Sequence, residues 1–203
     1  MLDHVNMRIH PREKMGVLGR NGSGKSTLIR LIGGAEMPTS GRVVRQMSTS
    51  WPMALGGGFQ GSLTGFDNLR FICRIYGVPF EDKIDFVQEF SELGPYLREP
   101  IKSYSNGMRA RLAFAISMVI EFDCYLIDEV TSVGDKRFHE KCRVELFEKR
   151  KDRAMVIVSH DPDFIREHCQ DLLVLVDGKP HTFNNMDEGF DYYRSSLGLK
   201  KIA

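Results

Sequence analysis

Cysteine is scarce in this 203-residue chain: Cys73, Cys124, Cys142 and Cys169 are the only four, and no two form a C-x-x-C pair. That spacing argues against a disulfide framework or a zinc site and suits a reducing compartment. An excess of charge of one sign is also lacking. Lys and Arg number 28 against 27 Asp and Glu, for a formal net charge of +1. No global basic excess advertises nucleic acid or an anionic membrane surface. Long hydrophobic runs are missing as well. Leu112–Ile120 and Leu172–Val176 are the longest strongly apolar stretches, well short of the ~20 residues a membrane helix needs. The opening Met1-Leu2-Asp3-His4 has no signal-peptide character, and there are no repeats or low-complexity tracts. These absences predict a soluble intracellular domain. Hydrophobic residues at 42% and charged residues at 27% sit near the globular average. A chain this long buries roughly 70% of its unfolded surface, so it needs no staples.

Apolar periodicity sets out an α/β pattern. Val5–Ile9 alternates like a strand, Met15–Leu18 is a short apolar run, and a helical pattern from Lys25 to Ile32 stops at Gly33-Gly34. Gly41–Arg45 reads as another strand. From Leu69 to Ile120 the pattern is mostly helical. Strands then return at Tyr125–Ile127 and Met155–Val158, and Leu172–Val176 with Asp177-Gly178 reads as a closing hairpin. Short continuous apolar strands separated by helices predict a parallel sheet covered on both faces. The expected organisation is a single domain. Residues 1–60 and 122–203 form the α/β core, and 61–121 an inserted helical subdomain.

Gly19-Arg20-Asn21-Gly22-Ser23-Gly24-Lys25-Ser26 matches G-x-x-x-x-G-K-[ST] between a strand and a helix, the context this phosphate-binding motif requires. Glycines let the backbone curl so that its amides face phosphate oxygens, and the helix adds the positive end of its dipole. Lys25 can reach the β- and γ-phosphates, and the Ser26 hydroxyl can ligate Mg²⁺. With Thr27, the loop residues Gly19, Arg20, Asn21, Gly22, Ser23, Gly24, Lys25 and Ser26 make up the expected nucleotide contacts. Asp128 and Glu129 end an apolar strand. An acid there completes a Mg²⁺ shell in P-loop enzymes, and a second one can orient or deprotonate the attacking water.

Further motifs follow in order. Tyr104-Ser105-Asn106-Gly107-Met108 resembles the L-S-G-G-Q signature of ABC transporter ATPases, and Thr131-Ser132-Val133-Gly134-Asp135 looks like their D-loop. His160 ends a strand as the family's switch histidine does, and Gln60 stands where the Q-loop glutamine belongs, at the end of the strand before the helical insert. Trp51-Pro52, Gly57-Gly58-Phe59-Gln60-Gly61-Ser62-Leu63-Thr64-Gly65 and Asp128-Glu129-Val130-Thr131 resemble the ATP-binding subunits of capsular polysaccharide exporters. The resemblance covers essentially the whole chain. It implies a RecA-like P-loop NTPase core whose first N-terminal strand, with its adenine-stacking aromatic, is absent from this sequence.

It also implies a mechanism. Two copies pair head to tail around two ATP molecules, each nucleotide meeting the loop around Lys25 of one copy and Ser105, Asn106 and Gly107 of the other. Glu129 acts as general base, His160 contacts the γ-phosphate, and Ser26, Gln60 and Asp128 attend Mg²⁺. A separate integral membrane permease docks near Gln60, at the cytoplasmic face of the inner membrane, and nucleic acid is not a partner. Asn106, Tyr104 and Met108 depart from the signature. Asn106 is read as tolerated because asparagine accepts left-handed backbone. Lys149-Arg150-Lys151 reads as a solvated helix end, Trp51 as core or docking surface, and the cysteines as packing residues. Two alternatives stay open: an N-terminally truncated ATPase of weak turnover, and a soluble ABC ATPase without a transporter. A serine hydrolase is unsupported, as is a GTP switch, since the chain has no Asn-Lys-x-Asp motif.

Overall fold

The computed structural model describes residues 2–53, 59–128 and 135–198. The chain divides into two compact units. Met1–Pro52, Phe122–Glu129 and Asp152–Ala203 make the first, and Met53–Glu121 with Val130–Lys151 make the second.

The first unit is an α/β core. Its strands are β1 (Lys14–Gly19), β2 (Cys124–Asp128), β3 (Ala154–Val158), β4 (Asp171–Val176) and β5 (Lys179–Phe183), in the order β2-β3-β1-β4-β5. All neighbours are parallel except β4 and β5. The apolar runs of β1, β3 and β4 are buried almost throughout, as strands of a parallel sheet covered on both faces must be. At the edge, β5 is half-exposed, with no fully buried residue. Asp177 and Gly178 join it to β4 with φ of 50° and 80°, the left-handed pair that a two-residue hairpin turn requires. Helices α1 (Lys25–Gly33), α6 (Pro162–His168) and α7 (Met186–Ser196) complete this unit.

Two expected strands are absent. Val5, Met7 and Ile9 do pack on the core while Asn6, Arg8 and His10 face outward, so the period of two is real. Yet Val5–Ile9 joins no ladder among the described residues, and a strand exists only where its amides and carbonyls are paired. Gly41–Arg45 is exposed throughout and likewise unpaired into any described strand. The Arg45 guanidinium instead donates to the Leu31 and Ile32 carbonyls at the end of α1, groups the helix cannot satisfy itself. Gln60 also sits in irregular chain rather than at a strand end.

The second unit contains α2 (Gly65–Tyr76), α3 (Glu81–Ser91), α4 (Asn106–Val119) and α5 (Lys136–Arg143), the last running into a π-turn at Val144–Glu148. It is larger than the sequence boundaries suggested, because α5 belongs here and not to the core. The cause is Phe138, which stands edge-on to Phe90 of α3 at 5.5 Å between ring centroids, while Phe90 stacks on Phe114 of α4 at 5.5 Å. Apolar spacing marks a buried helix face but does not say which core receives it. Burial pushes the Cys124, Cys142 and Cys169 thiols up to about 12, so they pack as inert small groups.

Arg150 overturns the solvated-end reading. It is 7% exposed, as is Glu145. Its Nη1 donates to Glu145 Oε1 at 2.7 Å, and its Nη2 to the Met118 carbonyl at 2.8 Å and Glu121 Oε1 at 3.0 Å. The π-turn places Glu145 under the guanidinium, and the same side chain satisfies the Met118 carbonyl in the last turn of α4. Removing one member of a buried pair strands the other. Arg150→Ala is expected to lower unfolding free energy by about 3 kcal/mol, the low end for such a loss because Lys149 still faces Glu145; urea denaturation measures it.

Candidate nucleotide site

The site begins where β1 ends. Gly19 lies opposite Leu175 of β4 in the sheet register. A Cβ at Gly19 would stand 2.4 Å from Ser23 Oγ and 2.8 Å from the Leu175 carbonyl oxygen. Only glycine allows the chain to fold back so closely on itself. Gly24 then takes φ 107° as the N-cap of α1, a conformation closed to most side chains. The N-termini of α2, α4, α5, α6 and α7 are capped by Thr64, Ser105, Asp135, Asp161 and Asn185. The first helix has no capping side chain and no acid in its first turn. Its orphan amides and positive dipole are left for an anion.

Two observations inside the loop fit a phosphate chain. Lys25 is buried, and its Nζ donates to the Gly19 carbonyl at 2.7 Å and the Arg20 carbonyl at 3.1 Å. An ammonium folded onto the loop's own carbonyls can swing to a stronger acceptor. Ser23 Oγ is buried with no hydrogen-bond partner among the described residues, which costs free energy until an acceptor arrives. Arg20, Asn21, Gly22 and Ser26 are exposed at the same end of α1, and Thr27 Oγ1 accepts from Arg30 Nη2 at 3.3 Å.

The sheet register brings further predicted residues to the same edge. Val158 of β3 pairs with Val17 of β1 on one side and with Asp128 of β2 on the other. Asp128, the loop after Gly19 and His160, just beyond β3, therefore all emerge at the carboxyl ends of parallel strands, where α/β sheets bind ligands. Ser159 Oγ accepts from the Asp161 amide at 3.1 Å, and Asp161 caps α6, so the chain on either side of His160 is held. A hydroxyl from Ser26 and the Asp128 carboxylate are the hard oxygen ligands that Mg²⁺ takes together with substrate phosphates. Glu129, the expected base, lies outside the described residues, as do Thr131–Gly134 and Gly57-Gly58.

The other motifs lie in the helical unit. Ser105 is the N-cap of α4, and its Oγ accepts from the Met108 amide at 3.2 Å. Asn106 and Gly107 are exposed in the first turn, and neither has positive φ. The left-handed backbone anticipated at Asn106 is not needed, so asparagine stands there without strain. Tyr104, in the place of the signature leucine, is buried and donates to the Tyr96 carbonyl. The Gln60 side chain is exposed.

One residue that holds this motif was missed. Asn68, buried on α2, accepts from the Gln60 amide at 2.9 Å and donates to the carbonyls of Gln60 at 3.3 Å and Thr64 at 2.8 Å. The signal was available. Thr64-Gly65-Phe66-Asp67 forms a reciprocal capping box that starts the helix and so places Asn68 in its first turn.

The ABC transporter family model matches residues 2–132. The chain is 58% identical to the ATP-binding protein BexA of Haemophilus influenzae over 97% of its own length and 90% of the relative's. It is 57% identical to the capsule polysaccharide export ATP-binding protein CtrD of Neisseria meningitidis serogroup B, over 96% and 90%. Among solved structures, the ATP-binding cassette MJ0796, a dimer in a post-hydrolysis state with ADP and Pi, aligns with a TM-score of 0.76 at 21% identity. That alignment covers 90% of this chain and 89% of that one, and it bears on the fold alone.

Gly19→Ala tests the loop. Leu175 presents backbone to the new Cβ, so the collision cannot be relieved by a rotamer change. ATP affinity, read by titration with a fluorescent analogue, is expected to fall at least about tenfold, the equivalent of one lost charge-assisted hydrogen bond.

Proposed function

The chain belongs to the ABC transporter family, and on that premise we propose that it is the ATP-hydrolysing subunit of an exporter of capsular polysaccharide, working as a head-to-tail homodimer beside a separate membrane permease. The observation that carries the export reading is the 57% identity to a capsule polysaccharide export ATP-binding protein over 96% of this chain. The phosphate loop at the sheet's carboxyl edge supports the chemistry. No described helix is long and apolar enough to cross a membrane, in keeping with a permease carried on another chain.

The residues divide the work. ATP phosphates take the loop amides and the dipole of α1. Lys25 leaves the Gly19 and Arg20 carbonyls for the β- and γ-phosphates, and the Ser23 hydroxyl finds its acceptor. Ser26, Asp128 and Gln60 would hold Mg²⁺, which when bound neutralises charge developing between the β- and γ-phosphates. Glu129 orients the attacking water and takes its proton, and His160 contacts the γ-phosphate. The second copy supplies Ser105, Asn106 and Gly107 at the start of α4. A hydroxyl carries one donor and two acceptor lone pairs. Ser105 can therefore keep accepting the Met108 amide while donating its own proton to a phosphate oxygen.

The permease contact is assigned to α2. Phe71 and Ile75 are 53% and 58% exposed, one turn apart on the helix that follows Gln60, and the exposed Arg70 and Arg74 flank them. Apolar side chains this exposed, at helical spacing and rimmed by charge, mark an interaction face.

Glu129→Gln removes the base and is expected to trap the ATP-bound dimer. Light scattering should show its mass doubling with Mg-ATP, and no doubling when Lys25→Ala is added; a monomer under all conditions would refute the head-to-tail reading. In a capsule-forming strain that lacks its own export ATP-binding subunit, the wild-type chain is expected to restore surface polysaccharide. Phe71→Ser/Ile75→Ser is expected to bind ATP normally yet restore none.

A further inference from the structure

The phosphate loop begins and ends on glycines, and each stands close to another part of the core unit. Gly19 meets Leu175 of β4. Gly24 meets Leu2: a Cβ built on it would stand 2.8 Å from Leu2 Cδ2 and 3.2 Å from Leu2 Cγ. Leu2 is half-buried and packs on the same core cluster as Val5, Met7 and Ile9. The next residue ties this segment down, because the Asp3 amide donates to the Gly178 carbonyl at 2.9 Å. Gly178 lies in the turn between β4 and β5, just beyond Leu175. His4 then turns the chain with left-handed backbone, φ 50°. Such backbone outside glycine persists where its surroundings impose it, here the Asp3 bond on one side and the buried face of Val5 on the other.

Gly24 is where restraint is needed. It takes φ 107° at the N-cap of α1, and no side chain caps that helix. Glycine loses more conformational freedom on ordering than any other residue. The groups around it also favour opening. Ser23 Oγ has no hydrogen-bond partner among the described residues, and the Lys25 ammonium rests on the carbonyls of the loop itself. Water would satisfy both if the loop came apart. The shape of the loop is set by its own glycines, but keeping that shape before an anion arrives calls for support from outside. An apolar side chain laid across Gly24 supplies it by removing alternatives from the unliganded loop. A loop already in its bound conformation loses less affinity to ordering. Both ends are then referred to one hairpin, Gly19 directly through Leu175 and Gly24 through Leu2 and the Asp3–Gly178 bond.

We propose that Leu2 is a positioning residue for nucleotide binding: anchored through Asp3 to the β4–β5 turn, it lies across Gly24 and holds the phosphate loop in its binding shape. The role rests on the nucleotide-site reading above and adds to it a residue outside every motif. Because Leu2 acts through Gly24, its effect is on the phosphates and is blind to the base.

The test measures displacement of a fluorescent ATP analogue by ATP and by inorganic tripolyphosphate, which has no base. It compares Leu2→Ala, Leu2→Met, Asp3→Pro and the double variant Leu2→Ala/Asp3→Pro. Proline removes the amide that donates to Gly178. When the closed loop is only fractionally populated, affinity falls by that fraction, and Leu2→Ala and Asp3→Pro are each expected to lose about fivefold for both ligands. The double variant should lose no more than Leu2→Ala, since the anchor acts through that side chain. Methionine, of similar apolar volume, is expected to bind as wild type does. Turnover at saturating ATP and melting temperature should stay near wild type, so that the loss falls on KM and not on kcat. Unchanged affinity in Leu2→Ala would overturn the proposal, as would additive losses in the double variant or a loss that tracks melting temperature. A loss for ATP with none for tripolyphosphate would also overturn it, by placing Leu2 on the base. A wild type that binds neither ligand, like the Lys25→Ala control, would overturn the nucleotide-site reading and this role with it. Amide exchange at Gly24 in the unliganded chain reads the restraint apart from any ligand: it is expected to be faster in Leu2→Ala, and an unchanged rate would overturn the proposal.

Discussion

The nucleotide site depends on the passage of the Gly19 backbone against the Leu175 carbonyl of the neighbouring strand, a contact that leaves no room for a Cβ. Because β1 turns back at that point, the loop closes on Ser23 and delivers Gly24 in a left-handed conformation to start α1. The orphan amides of that helix then share one small volume with the Lys25 ammonium. Such a volume is costly to build: a buried cation leans on two carbonyls, and the buried Ser23 hydroxyl has no partner among the described residues. The cost is what makes phosphate oxygens the favoured occupant, since they satisfy all of these groups at once.

The helical unit shows a second constraint, the unsatisfied ends of α4. At the N-terminus the Ser105 hydroxyl caps the helix and still has a proton to donate. Near the C-terminus, Arg150 takes the Met118 carbonyl and is itself neutralised by Glu145 and Glu121. The side-chain cap at one end and the buried guanidinium at the other satisfy backbone groups that α4 cannot satisfy itself.

Much of this was legible in the sequence, for physical reasons that differ from element to element. The phosphate loop is readable because its glycines answer local needs, left-handed φ and close approach, which no distant residue can change. The Asp177-Gly178 turn is readable on the same ground, since two consecutive positive φ values leave few sequences to choose from. Val5–Ile9 shows where local pattern stops. Its alternation is matched by Val5, Met7 and Ile9 packing on the core, but ladder pairing belongs to two segments, and one segment cannot reveal whether its partner is present. Arg150 failed for a related reason: its neighbours Glu121 and Met118 are remote in sequence, and a basic triplet looks solvated until they are in place. Asn68 lay between these cases, legible only after the capping box had fixed the helix phase.

The same distinction orders the chemistry. The loop residues proposed to bind phosphate lie in one short stretch whose conformation is local. On the proposed reading, hydrolysis asks for more: a base beyond β2, a histidine beyond β3, and a signature helix from a second copy. Those groups come from separate elements, and each needs its own support. Ser159 and Asp161 flank His160, and Asn68 grips the backbone of Gln60. None of these supports lies within a recognisable motif, and each acts on the backbone or on the neighbour of a residue that does. On that reading ATP is held without being spent until a second copy is in place. For a subunit that drives transport through another chain, that delay is where coupling can enter.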